Sequence, residues 1–188
     1  MKILILSSLI FLSSCGGGTT TGNPVQRTVS IRMEDQQPLA WIKNLSDSII
    51  PSAYAAVSNI SFCFKRLRFK PDSSTDGSNY DLVLGQVTIN PAGTNLLSVS
   101  VPEGTYTRIE FDLENGCDGD MAKPSVVFTN NSGVRSTNDH TTIKFDGVYV
   151  VSADGTLDLD IDALIDAMDT ITLDNQIKTT LENAPGSF

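Results

Sequence analysis

Histidine occurs once in this chain of 188 residues, as His140. One imidazole excludes metal centres built on several histidines, and acid–base pairs that need two. Positive charge is also scarce: 13 Lys and Arg stand against 22 Asp and Glu, a net charge of −9. Nucleic-acid binding rests on neutralising phosphates, so this balance argues against a nucleic-acid partner. The chain has no Gly-x-Ser-x-Gly elbow, no Walker loop and no dinucleotide fingerprint, so the signatures of three large enzyme groups are missing. Long apolar runs are lacking too. The stretch from Ile3 to Leu12, broken by Ser7 and Ser8, falls short of the roughly 20 residues that cross a bilayer as a helix.

What is present is globular. With 40% hydrophobic, 7% aromatic and 19% charged residues, the composition is that of a folded chain, and the length suits one domain. Met1-Lys2 followed by the short apolar run fits a secretory signal. Leu12-Ser13-Ser14-Cys15 resembles the lipobox of bacterial lipoproteins, where a branched apolar residue and two small residues precede a cysteine. The resemblance implies removal of residues 1–14, a diacylglycerol on the Cys15 sulfur and acylation of its amino group. Gly16 after the cysteine, in place of an aspartate, points to the outer membrane of a Gram-negative bacterium. Several acyl chains at ~0.8 kcal/mol per buried methylene make such an anchor effectively permanent. Residues 15–24, rich in Gly and Thr, have the composition of a flexible tether. Residues 25–188 are then the folded domain.

Setting Cys15 aside leaves Cys63 and Cys117. An even remainder in an oxidising, exported compartment favours a disulfide between them. The alternative is a buried Cys63 and a free Cys117.

Beyond residue 24 the dominant pattern has period two, the mark of half-buried strands. Val29, Ile31 and Met33 alternate, as do Ile60, Phe62 and Phe64. Leu67 and Phe69 then have the opposite parity, which predicts a bulge near Lys65-Arg66. A similar slip at Gly85 divides Tyr80, Leu82 and Leu84 from Val87 and Ile89. Further strands are expected at Leu97–Val101, Ile109–Leu113, Val126–Phe128, from Val134, at Ile143 and Phe145, at Val148–Val151, and at Leu157–Ile161. Nine or ten short strands without strand–helix alternation read as an all-β, antiparallel two-sheet sandwich, immunoglobulin- or transthyretin-like. Two segments depart from it. Leu39, Ile42, Leu45 and Ile49 recur at helical spacing, so residues 38–56 read as a helical insertion, closing one end of the sandwich or forming a lid for a membrane or partner. From about residue 163 a helical turn leads into a C-terminal arm packed through Ile171, Leu173, Ile177 and Leu181, with a mobile tail at Ala184-Pro185-Gly186.

Val101-Pro102-Glu103-Gly104-Thr105-Tyr106-Thr107, Lys144-Phe145-Asp146-Gly147-Val148 and Asp154-Gly155-Thr156-Leu157-Asp158-Leu159-Asp160-Ile161-Asp162 occur in that order. With Thr28–Ile31 and Val57–Phe69 as its first strands, the set resembles the bacterial lipoprotein family called domain of unknown function 4382, over roughly residues 27–165. The resemblance implies fold and location; the family brings no activity or site residues. Physically, Pro102 and Gly104 make a turn, and Tyr106 is placed to hydrogen-bond backbone at the sheet corner.

Three clusters carry candidate chemistry. Asp112, Glu114, Asp118 and Asp120 lie among turn residues and could supply oxygen ligands to a structural calcium ion, though not in EF-hand order; a solvated acidic loop is the plainer reading. Asp158, Asp160 and Asp162 alternate with Leu157, Leu159 and Ile161, either as a carboxylate cluster or as the charged face of an edge strand. Lys65, Arg66, Arg68 and Lys70 form either an anion-binding stripe or a strand surface paired with acids across the sheet. No nucleophile–base constellation surrounds His140. The expectation is therefore a lipid-anchored envelope protein, held to the membrane and binding a glycan or protein through loops, with no catalytic residues and no cofactor beyond that calcium. An envelope assembly component is the alternative, and a hydrolase with an unfamiliar site the third.

Overall fold

The structure is a computed structural model and describes residues 24–35, 57–71, 77–81 and 84–186. The lipobox with Cys15 and the expected helical insertion at 38–56 lie outside the described residues. The strands are β1 (Gln26–Glu34), β2 (Ser58–Lys70), β3 (Ser78–Asp81), β4 (Gln86–Thr88), β5 (Thr94–Pro102), β6 (Gly104–Leu113), β7 (Val126–Asn130), β8 (Gly133–Thr137), β9 (Thr141–Val151) and β10 (Gly155–Asp160). Helices α1 (Asp162–Asp169) and α2 (Ile177–Asn183) follow, and β11 (Pro185–Gly186) ends the described chain.

A three-stranded sheet, β10-β1-β5, faces a larger one ordered β11-β9-β6-β2-β7-β8, with β3 and β4 also on β2. Together they make the expected all-β sandwich. Most pairings are antiparallel, but β1–β10 and β9–β11 run parallel. The alternating residues supply the core: Val29, Ile31 and Met33 from β1 meet Ile60, Phe62, Leu67 and Phe69 from β2, all buried. Three rings step across neighbouring strands, with Phe64 to Phe111 at 5.3 Å and Phe111 to Phe145 at 6.0 Å between centroids, both edge-on. Edge-on pairs of this kind add about 0.5–1.5 kcal/mol beyond burial.

The parity slip in β2 is a register shift between Phe64 and Arg66 in its pairing with β6, as the sequence predicts. One residue's N–H and C=O point to the same side of its strand. Cys63 donates its N–H to Ser125 and accepts the N–H of Glu114 at its carbonyl. So β6 ends and β7 begins on the same side of β2, and residues 115–124 leave the sheet between them.

Several expectations are corrected. Gly85, at φ 67°, separates two short strands that each pair with β2, rather than bulging one. Ile143 to Val151 is one strand, because Gly147 occupies the inward position that the apolar pattern skips. Leu173 is exposed, whereas Ile171, Ile177 and Leu181 are buried. The tail packs: Ala184 is buried, and Pro185-Gly186 pairs with Lys144-Phe145. A Cβ on Gly186 would stand 2.3 Å from the Phe145 ring, so only glycine allows this approach.

Candidate functional site

The outward face of the large sheet gathers most of the residues singled out by sequence. Outward positions of β2 carry Lys65, Arg66, Arg68 and Lys70, and those of β6 carry Arg108, Glu110 and Asp112. Their pairing puts Arg68 opposite Glu110 and Arg66 opposite Asp112. Arg68 Nη2 lies 2.7 Å from Asp112 Oδ1 and 3.0 Å from Glu110 Oε2. Lys70 and Arg108 each approach Glu110 at 3.5 Å. Arg66 reaches Asp81 at 3.7 Å and Asp112 at 4.0 Å, and Lys65 reaches Glu114 at 3.9 Å. The hydroxyl of Thr142 donates to Asp112 at 2.8 Å, and His140 Nε2 lies 3.7 Å from the same carboxylate.

Glu110 and Asp112 are thus buried on a face that otherwise meets water, at 4% and 3% exposure. The long basic side chains lie over them and neutralise them. The four bases of β2 therefore face acids across the sheet rather than an open anion. Arg108 is held by a hydrogen bond to Asp146, which raises its pKa further.

Residues 115–124 form a strap over this face. Cys63 points outward from β2 and is bonded to Cys117, their Cα atoms 5.7 Å apart; the sulfur pair closes the strap onto the strand. Gly116, Asp118 and Gly119 all have left-handed backbones, which glycine adopts without strain and Asp tolerates better than most. Lys123 bonds the Asp118 carboxylate at 2.5 Å and holds its pKa below the usual range. A Cβ on Gly85 would lie 2.2 Å from that carboxylate, so the strap crosses β2 from the β6–β7 side to the β4 side. Met121 stands 70% exposed on the strap.

The calcium candidates are dispersed across this arrangement. Asp112 belongs to the sheet, Glu114 to Lys65 and Asp118 to Lys123, and Asp120 accepts the Ala122 N–H. Among the described residues no three His, Cys, Asp or Glu side chains come together as a metal site.

At the sheet corner Tyr106 donates its hydroxyl to the Pro102 carbonyl at 2.8 Å, as its place after Pro102 and Gly104 predicts. Asp158, Asp160 and Asp162 mark the end of β10, an edge strand of the small sheet, with Asp160 capping the Asp162 N–H. Asp162 is pushed up to about 8, first by burial, then by a hydrogen bond with Asp35 and the charge of Asp160. Sequence pattern does not reveal the role of Asp35, because its partner Asp162 lies more than a hundred residues away.

Comparison with known proteins finds no matching family model, no similar curated protein and no similar solved structure.

Proposed function

We propose that the chain is an outer-membrane lipoprotein, anchored through Cys15, whose sandwich serves as a non-catalytic binding or adhesion module. Its likeness to domain of unknown function 4382 belongs to the same proposal. The observation that carries the binding reading is the disulfide-closed strap. A loop already fixed by a covalent bond and by left-handed turn residues loses little entropy when it meets a ligand. Met121 offers an adaptable apolar contact at its surface. Glycans and proteins are the ligand classes that suit a polar sheet face with such a loop. Rigid sandwiches commonly carry recognition on their loops, and by analogy of fold this one does the same.

The Cys63–Cys117 bond also supports export, since such bonds persist in oxidising compartments. A second reading, assembly with another envelope protein, is favoured by β5, which has a partner on one side only among the described residues. A bare strand edge is a template for strand addition.

Protease shaving of intact cells separates the two. The binding reading predicts loss of the domain from the cell surface while a periplasmic control protein survives. Full protection of the domain would contradict it and favour assembly on the periplasmic side.

A further inference from the structure

The strands of the sandwich define two ends. At one end β1 begins: Gln26 pairs with Pro102, Gly104 with Val151, Thr105 with Val150, and Val29 with Gly155. At the other, β1 and β10 finish at Glu34 and Asp160, and the Asp35 N–H bonds the Pro91 carbonyl in the turn before β5.

Among the described residues the first end is poor in charge. Across the outward face of β6 and β9 it presents Thr105, Thr107, Val148 and Val150, whereas the same two strands carry Arg108, Glu110, Asp112 and Asp146 farther along. Val148 and Val150 are 60% and 65% exposed, and Val25, which accepts the Glu103 N–H, is 54% exposed. Two outward valines in succession are unusual on a strand whose inward face is already apolar, since a half-buried strand puts polar residues outside. Of the nearby charged groups Arg27 and Glu103 pair off, and Asp154 accepts the Thr28 N–H. At the second end Glu34, Asp35 and Asp160 collect beside the protonated Asp162, with one base, Arg32, 2.7 Å from Glu34, and Asp169 lies against the β7–β8 turn through Asn131. Among the described residues, acids thus outnumber bases at the end away from the first strand's start.

The length of chain before β1 says what meets the first end. Pro24 lies nine residues after Cys15. At about 3.3–3.6 Å per residue, the start of the domain cannot stand more than about 30 Å from an anchored cysteine. Its acid pole is repelled by anionic headgroups more strongly than its valine-bearing end. We infer that the end carrying Val25, Val148 and Val150 rests against the bilayer that holds Cys15, so that the acid pole faces away from the lipid. This rests on the lipoprotein reading given above.

The test uses the full chain, purified from membranes and reconstituted in liposomes of phosphatidylethanolamine and phosphatidylglycerol. A nitroxide is placed on Val150→Cys, on Val148→Cys as a second variant should the first misfold, or on Ala92→Cys in the turn at the far end. Mass spectrometry first establishes whether Cys15 is acylated; an unacylated Cys15 overturns the lipoprotein reading and this inference with it. With acylated protein, the label at position 150 or 148 should relax several-fold faster with lipid-dissolved oxygen than the label at 92, and be shielded from an aqueous nickel chelate. Equal accessibility at both ends would overturn the inference while leaving the anchor intact. Spin–spin broadening at position 150 that survives transfer to detergent would also overturn it, by showing a second copy of the chain on this patch.

Discussion

Asp162 is the residue whose surroundings most change its chemistry. It opens α1 beside Asp35 and Asp160, and its carboxyl is pushed up to about 8 by burial, the hydrogen bond with Asp35 and the charge of Asp160. An unfolded aspartate releases its proton near 4. Between about pH 4 and 8 the folded chain therefore holds a proton at Asp162 that the unfolded chain has lost, and stability from this group falls as pH rises through that window. Asp162→Asn keeps an uncharged hydrogen-bonding group in place and abolishes the loss. Calorimetry should show the melting temperature of the variant, relative to the parent, rising from pH 5 to pH 8. A difference that stays constant would remove Asp162 as the source.

At the scale of elements, the β2–β6 pair holds its outward face together by charge. Asp112 accepts from Arg68 and Thr142 while almost fully buried. Removing it leaves Arg68 with Glu110 alone and exposes a hole beneath the basic side chains. Asp112→Ala should cost about 2–3 kcal/mol in urea unfolding, within the range for hydrogen bonds to charged groups; a loss under about 0.5 kcal/mol would mean that the face is held by packing instead. The strap depends on Cys63–Cys117 across a sequence separation of 54. Replacing both cysteines by alanine should cost about 2–4 kcal/mol and speed hydrogen exchange at residues 115–124 before the sheet is affected. Exchange unchanged in that stretch would show that the turn geometry suffices without the bond.

Much of this architecture can be read from the sequence for particular physical reasons. The β2 bulge is visible because Phe64 and Leu67 differ in parity, and the disulfide because an even pair of cysteines remains once Cys15 is set aside. The Tyr106 corner follows from Pro102 and Gly104. The strap's course over β2 is hidden, since Asn115-Gly116 and Asp118-Gly119 announce turns without saying which strand they cross. The strand expected at Val148–Val151 is apolar at every position, so its pattern does not say which face is buried; the structure puts Val148 and Val150 outward. The parallel β1–β10 pair joins residues some 126 apart, a distance over which local pattern carries no information.

For the whole molecule, the short apolar start, the lipobox cysteine, the disulfide and the two unlike ends of the sandwich support one account, a folded domain held close to a membrane by lipid. Its central claim is the anchor on Cys15, and the most direct measurement is the intact mass and membrane partition of the full chain beside a Cys15→Ala variant. The account predicts a mature protein that begins at Cys15, carries the mass of its acyl chains and stays with the membrane through a high-salt wash, while the variant keeps its signal and lacks the lipid mass. A mature chain that begins elsewhere, or that carries no lipid and washes free, would contradict it.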